Sequence, residues 1–240
     1  MALLAIETST RQLGVALLDG ERVVSAYEVL ADYPHAVELP QAVTRVLGVG
    51  RTTLAALEGI VVDIGPGSFT GLRIGLAFVK ALVFSHQTVT IGVSSLDVLA
   101  ASLPFTPHLV CPLLDAKQKN VYAALYRLSA EVPQRDSDYL LGPIDEIIDR
   151  IKEPTLFLGD GCALYRDRIT ERLGAKARFA PAELWWPRAA IAARLGHARL
   201  ARGERDDPQR LVPLYLYPLD CSVRGPDRPT SVLRKPVASA

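Results

Sequence analysis

Apolar residues fall in short runs separated by small polar turns, a rhythm that predicts strands and helices in alternation. Residues 3–6 read as a first strand, Thr8-Ser9-Thr10 as a polar turn and residues 14–18 as a second strand. Asp19-Gly20 is a hairpin signal, which places a third strand over residues 22–29. Residues 35–46 carry Leu39, Val43 and Val46 at helical spacing, with Pro40 tolerable only near the start. Thr53 is placed to cap a short helix over 54–57. A strand follows at 60–64, then a helix from Thr70 through 84, a strand at 91–93 and a helix over 95–101 opened by Ser94.

After Pro104 and Pro107 the scheme repeats loosely. Strands are expected at 109–114 and 120–128, a helix at 144–151, a strand at 155–158 and a helix at 163–173. An edge strand at 175–179 and a last helix to about residue 202, with Pro187 at its first position, complete the series. The expected organisation is a first lobe over 1–104, a second over 105–218 and a flexible tail over 219–240.

One stretch interrupts this rhythm. Gly65-Pro66-Gly67-Ser68 joins strand to helix, and Gly71 and Gly75 then lie four apart on one helix face. Such a turn can hold an anion at the helix N-terminus. The motif is neither a Walker A loop nor a G-x-G-x-x-G fingerprint, and a tight turn with a capped helix is the structural alternative. Glycine inside a helix costs about 1 kcal/mol against alanine, so close approach of another backbone is expected to offset it. The bordering Leu72, Phe78, Val79 and Leu82 make this face a candidate partner surface, to be completed by His35, Leu39 and Val43. Packing against the chain's own sheet is the alternative.

The composition is ordinary: 49% hydrophobic, 22% charged and a net charge of +1, so no overall field selects for nucleic acid. Cys111, Cys162 and Cys221 form no C-x-x-C, which suits a reducing compartment. No run approaches a membrane span, and the short apolar start reads as a strand and not a signal peptide. A soluble cytoplasmic chain is expected.

The order Ala5-Ile6-Glu7-Thr8-Ser9-Thr10, then residues 64–75, then Gly92-Val93-Ser94-Ser95-Leu96-Asp97, then Asp115-Ala116-Lys117 with Val121-Tyr122 resembles the TsaB family. Glu7 stands where that family usually has aspartate. The resemblance is strong over residues 1–126 and returns at Gly159-Asp160-Gly161 and Pro213-Leu214-Tyr215-Leu216. It implies an α/β, actin-like ATPase fold (the ribonuclease H-like class) with two lobes. It also implies a non-catalytic role in making threonylcarbamoyladenosine in tRNA, beside a TsaD-like transferase and a TsaE-like ATPase. A homodimer is expected when the chain is alone.

Thr8, Ser9, Gly65, Gly67 and Ser68 are the candidate nucleotide-binding residues. No catalytic residue, metal ligand or resident cofactor is assigned, although ATP or ADP with Mg²⁺ stays open for the assembled complex. The four histidines show no helix-face pair. Glu7, Asp63, Asp115 and Asp160 fall at strand ends, where carboxylates either coordinate Mg²⁺ with bound phosphates or cap turns and helices, the second being favoured. Arg224, Arg228, Arg234 and Lys235 in the tail allow at most weak or indirect tRNA contact. An enzyme, a phosphotransferase or hydrolase with its own nucleotide cleft, is the competing reading.

Overall fold

The computed structural model describes residues 1–30, 35–86, 88–129 and 132–217. The expected tail therefore lies outside the described residues. The first sheet has the order β3-β2-β1-β4-β5. β1 (Ala2–Glu7), β2 (Gln12–Asp19) and β3 (Arg22–Leu30) are antiparallel neighbours, and β4 (Gly59–Gly65) and β5 (Val89–Ser94) continue in parallel. Gly20, at φ +59°, supplies the left-handed turn between β2 and β3.

The second sheet repeats this pattern. Its path is β10-β7-β6-β11-β12, made of β6 (Thr106–Lys117), β7 (Asn120–Ala123), β10 (Leu140–Pro143), β11 (Thr155–Leu158) and β12 (Ala177–Phe179). Again two antiparallel pairings are followed by two parallel ones. β8 (Tyr126–Leu128) pairs with the start of β6, and β9 (Gln134–Arg135) pairs with β8. The single strand expected over 120–128 is thus two, broken at Ala124-Leu125. Both sheets follow the plan expected of an actin-like lobe: antiparallel strands first, then parallel strands reached through helices.

Helices fill the crossovers. α1 (His35–Val49) leads from β3 to β4, and α2 (Phe69–His86) from β4 to β5. α3 (Ser95–Ala101) joins the sheets, and Ser94 caps it by accepting from the Leu96 amide at 3.3 Å. α4 (Ile144–Ile148) and α5 (Gly161–Leu173) repeat the first two crossovers in the second lobe. Thr53 makes no side-chain cap to the short 3-10 turn Leu54–Ala56.

The core follows these layers. α1 and α2 cover one face of the first sheet through Leu39, Val43, Leu76 and Val79, packed on Ile6, Val15 and Val62. α6 (Ala189–Ala201) covers the other face, setting Ala189, Ala192 and Ala193 on Leu3, Ala5 and Val61. The last helix therefore belongs spatially to the first lobe, although residues 105–218 were expected to form the second. Arg188 holds the N-cap position of α6 without a side-chain cap, so Pro187 lies outside the helix, and the Pro187 carbonyl accepts Gln12 Nε2 at 3.2 Å. Among the described residues no helix is long and apolar enough to cross a membrane.

Candidate functional site: a cleft between the lobes

A cavity of about 710 Å³ opens between the lobes. The first lobe contributes Ser9, Thr10 and Arg11 from the turn after β1, and Gly67 through Thr70 with Arg73 from the start of α2. The second contributes Asp115 through Gln118 from the β6–β7 hairpin, with Tyr122 and Asp160. Tyr215 and Tyr217 reach in from the chain's last described segment.

The two first-lobe turns are bonded to each other. The Ser68 amide donates to the Ser9 carbonyl at 2.6 Å. Ser68 caps α2, its hydroxyl accepting from the Gly71 amide at 3.2 Å. His35 Nε2 donates to the Thr10 carbonyl at 2.8 Å, which ties the start of α1 to the same turn. The Gly65–Pro66 peptide is cis. Of the five candidate nucleotide residues, Ser9, Gly67 and Ser68 line the cleft, whereas Thr8 and Gly65 lie behind it.

Thr8 has another neighbour. A β-carbon on Gly71 would collide with the Thr8 carbonyl oxygen, and one on Gly75 with Thr8 Oγ1. The glycine notch of α2 thus receives the turn after β1 and does not open outward. Leu39, Val43, Leu72 and Val79 are at most 4% exposed in the chain itself. The partner surface expected on this face is corrected: His35, Phe78 and Leu82 are half-buried, and Leu39, Val43, Gly71, Leu72, Gly75 and Val79 are buried within the chain. Two glycines on one helix face signal close approach, but not whether the approaching backbone is internal. The exposed side of α2 instead carries Arg73, Ala77 and Phe84; Phe84 is 90% exposed, and Val37 and Val49 of α1 are exposed as well.

The four strand-end carboxylates divide into two kinds. Asp115 and Asp160 line the cleft. Asp115 pairs with Lys117 Nζ at 2.5 Å, and Asp160 Oδ1 accepts the Asp115 amide at 2.9 Å. Burial raises the Asp160 carboxyl above its ordinary value. Glu7 and Asp63 are fully buried beneath the turns and do not reach the cavity.

Sequence reasoning missed the two tyrosines. Tyr215 stacks on Phe69 with centroids 5.2 Å apart and accepts Arg73 Nε at 3.0 Å. Tyr217 donates to the Ala116 carbonyl at 3.0 Å and accepts Asn120 Nδ2 at 3.1 Å. Two residues of one short segment thereby grip opposite lobes. The stretch Pro213-Leu214-Tyr215-Leu216 was visible as a motif, but no periodicity could have assigned it to a cleft.

Arg11, Arg73 and Lys117 with the hydroxyls of Thr10, Ser68 and Thr70 make the cleft competent for an anion, and Phe69, Tyr122, Tyr215 and Tyr217 give it flat apolar walls. Among the described residues no group of three or more His, Cys, Asp or Glu side chains is placed to hold a metal.

The family profile described as tRNA N6-adenosine threonylcarbamoyltransferase, TsaD, matches residues 29–216. The tRNA threonylcarbamoyladenosine biosynthesis protein TsaB of Bacillus subtilis is 35% identical over 221 residues, which cover 90% of this chain and 94% of that protein. The protein of the same name from Escherichia coli is 33% identical over 129 residues, 53% of this chain and 55% of its own length. A solved structure of YeaZ from Pseudomonas aeruginosa superimposes with a TM-score of 0.77 at 27% identity, covering 90% of this chain and 99% of that one. With near-complete mutual coverage in sequence, and a matching two-lobed structure, the chain belongs to the TsaB family.

Proposed function

We propose that this chain is a non-catalytic partner subunit in the synthesis of threonylcarbamoyladenosine in tRNA, beside the anticodon. It binds a TsaD-like transferase and holds it in a competent form, and a TsaE-like ATPase joins the assembly. The observation that carries this reading is the match to the Bacillus subtilis TsaB protein along 94% of that protein's length. The cleft supports the non-catalytic part. Glu7 and Asp63, the carboxylates of the first lobe's strand ends, are sealed beneath the turns, where they cannot meet a bound phosphate or its metal.

The partner surface in this reading is the exposed side of α2, centred on Phe84 and Ala77. A large ring at 90% exposure is costly to leave in water. Alone, the chain pairs with itself there; with the transferase present, the same side is taken by the transferase.

The test is co-purification with the TsaD-like protein of the same cell, followed by assay of modified tRNA with each protein omitted. Modification that proceeds at full rate without this chain overturns the proposal. The cationic, aromatic cleft favours a second reading, an enzyme with its own nucleotide. Steady ATP hydrolysis by the purified chain, lost in Asp115→Asn, selects it.

A further inference from the structure

Glu7 and Asp63 stand one residue beyond Ile6 and Val62, the last paired positions of the parallel strands β1 and β4. Both are 0% exposed. One oxygen of each is fully engaged. Glu7 Oε1 accepts the Ser9 amide at 2.6 Å and the Ser9 hydroxyl at 2.5 Å. Asp63 Oδ1 accepts the Gly65 amide and the Ser95 hydroxyl, each at 2.6 Å. The other oxygens, Glu7 Oε2 and Asp63 Oδ2, receive no donor from any described group. Because Ile6 pairs with Val62, Glu7 and Asp63 follow side by side on adjacent parallel strands, and each carboxyl acts on the other.

Two ionised carboxylates in that position would be two buried acceptors facing each other with like charge, an arrangement that neutralises itself by keeping a proton. The surroundings offer no relief. β2 presents Gly14 opposite Glu7, β5 presents Val93 opposite Asp63, and Ala189 of α6 packs over Gly14. α3 brings Ser95 and a third carboxylate, Asp97, whose oxygens accept the hydroxyls of Tyr126 at 2.6 Å and Tyr139 at 3.1 Å.

We propose that Glu7 and Asp63 share a single proton at neutral pH, and that this proton latches together the two turns forming the floor of the interlobe cleft. Glu7 holds the turn at Ser9, and Asp63 holds the turn at Gly65 and the start of α3. Loss of the proton sets like charges against each other directly beneath both turns. The turns then part, and the α2 N-terminus moves with them. Burial is the main cause that raises both carboxyls, Glu7 the more strongly. The proton therefore resides chiefly on Glu7, as an O–H donor to Asp63.

The sign is fixed by linkage. Below the ordinary glutamate value of 4.5 the carboxyl is protonated whether the chain is folded or not. As pH rises past that value the unfolded chain releases a proton that the folded chain retains, so stability falls with pH until the folded pair also titrates. In Glu7→Gln the side-chain amide would donate the same hydrogen bond to Asp63 without titrating.

The experiment compares the intact chain with Glu7→Gln by urea unfolding between about pH 5 and about pH 9. The expected result is a downward slope in the wild-type protein steeper by about one proton than in the variant, which becomes relatively more stable as pH rises. Hydrogen-exchange protection of the Ser9 and Gly65 amides, normalised for intrinsic base catalysis, should fall at high pH in the wild type alone. Infrared spectra at neutral pH should show a protonated-carboxyl band that Glu7→Gln lacks. Identical slopes and protection, or carboxylate bands only, overturn the proposal. If Glu7→Gln does not fold, Asp63→Asn places the amide donor on the other strand, and the same three measurements decide.

Discussion

The carbonyl oxygen of Thr8 occupies the space that a β-carbon on Gly71 would need. The first turn of the chain is thereby locked into α2, and no rotamer change relieves a clash with backbone. Gly71→Ala is expected to destabilise the folded chain by about 1–3 kcal/mol through overpacking. Gly75→Leu, aimed at the Thr8 side chain, should cost at least as much. Thermal melts of the isolated protein check this; a variant that melts like wild type but fails to associate would return the notch to the interface.

Phe84→Asp removes an exposed ring that contributes little to the monomer. Its unfolding free energy should change by no more than about 0.5 kcal/mol, whereas affinity for the transferase subunit should fall about tenfold or more. Titration by calorimetry beside a urea melt separates the two. Unchanged affinity places the partner surface elsewhere.

Tyr217 bonds to two groups of the β6–β7 hairpin, so Tyr217→Phe strands the Asn120 amide and the Ala116 carbonyl. A loss of about 1 kcal/mol is expected. Small-angle scattering should also report a wider separation of the lobes. A variant with wild-type stability and dimensions would mean that the tyrosine does not tie the lobes.

Cys111 and Cys162 are both buried, and burial raises their thiols far above the ordinary value. The thiolate is the reactive form. In a Cys221→Ser background, a thiol reagent should label the native protein only at the rate of unfolding, and both thiols at once in denaturant. Rapid native labelling would show that the second lobe opens locally.

The fold was legible because both lobes alternate short apolar runs with glycine and proline turns. Periodicity located the apolar faces of α1 and α2, Leu39 and Val43 on one and Val79 on the other. It could not say whose backbone fills the notch at Gly71 and Gly75, because internal and external close packing leave the same glycine signature. Ser9 and Ser68 were found in the cleft through turn chemistry. Arg73, Tyr215 and Tyr217 were not, since their roles depend on a lobe-to-lobe approach that no local pattern encodes. Glu7 and Asp63 were each visible at a strand end, but their pairing is a product of parallel register between strands distant in sequence.

α6 covers the second face of the first sheet, yet it is among the last parts of the chain to be synthesised. Leu3, Ala5, Val61 and Ile91 leave the ribosome long before Ala189, Ala192 and Ala193 exist to pack on them. Arg199, which bonds the Gly92 carbonyl at 2.5 Å and Asp206 at 3.1 Å, fastens that cover later still. The half made first is thus the half completed last, and through most of translation it presents a bare apolar sheet face that must be kept from other chains.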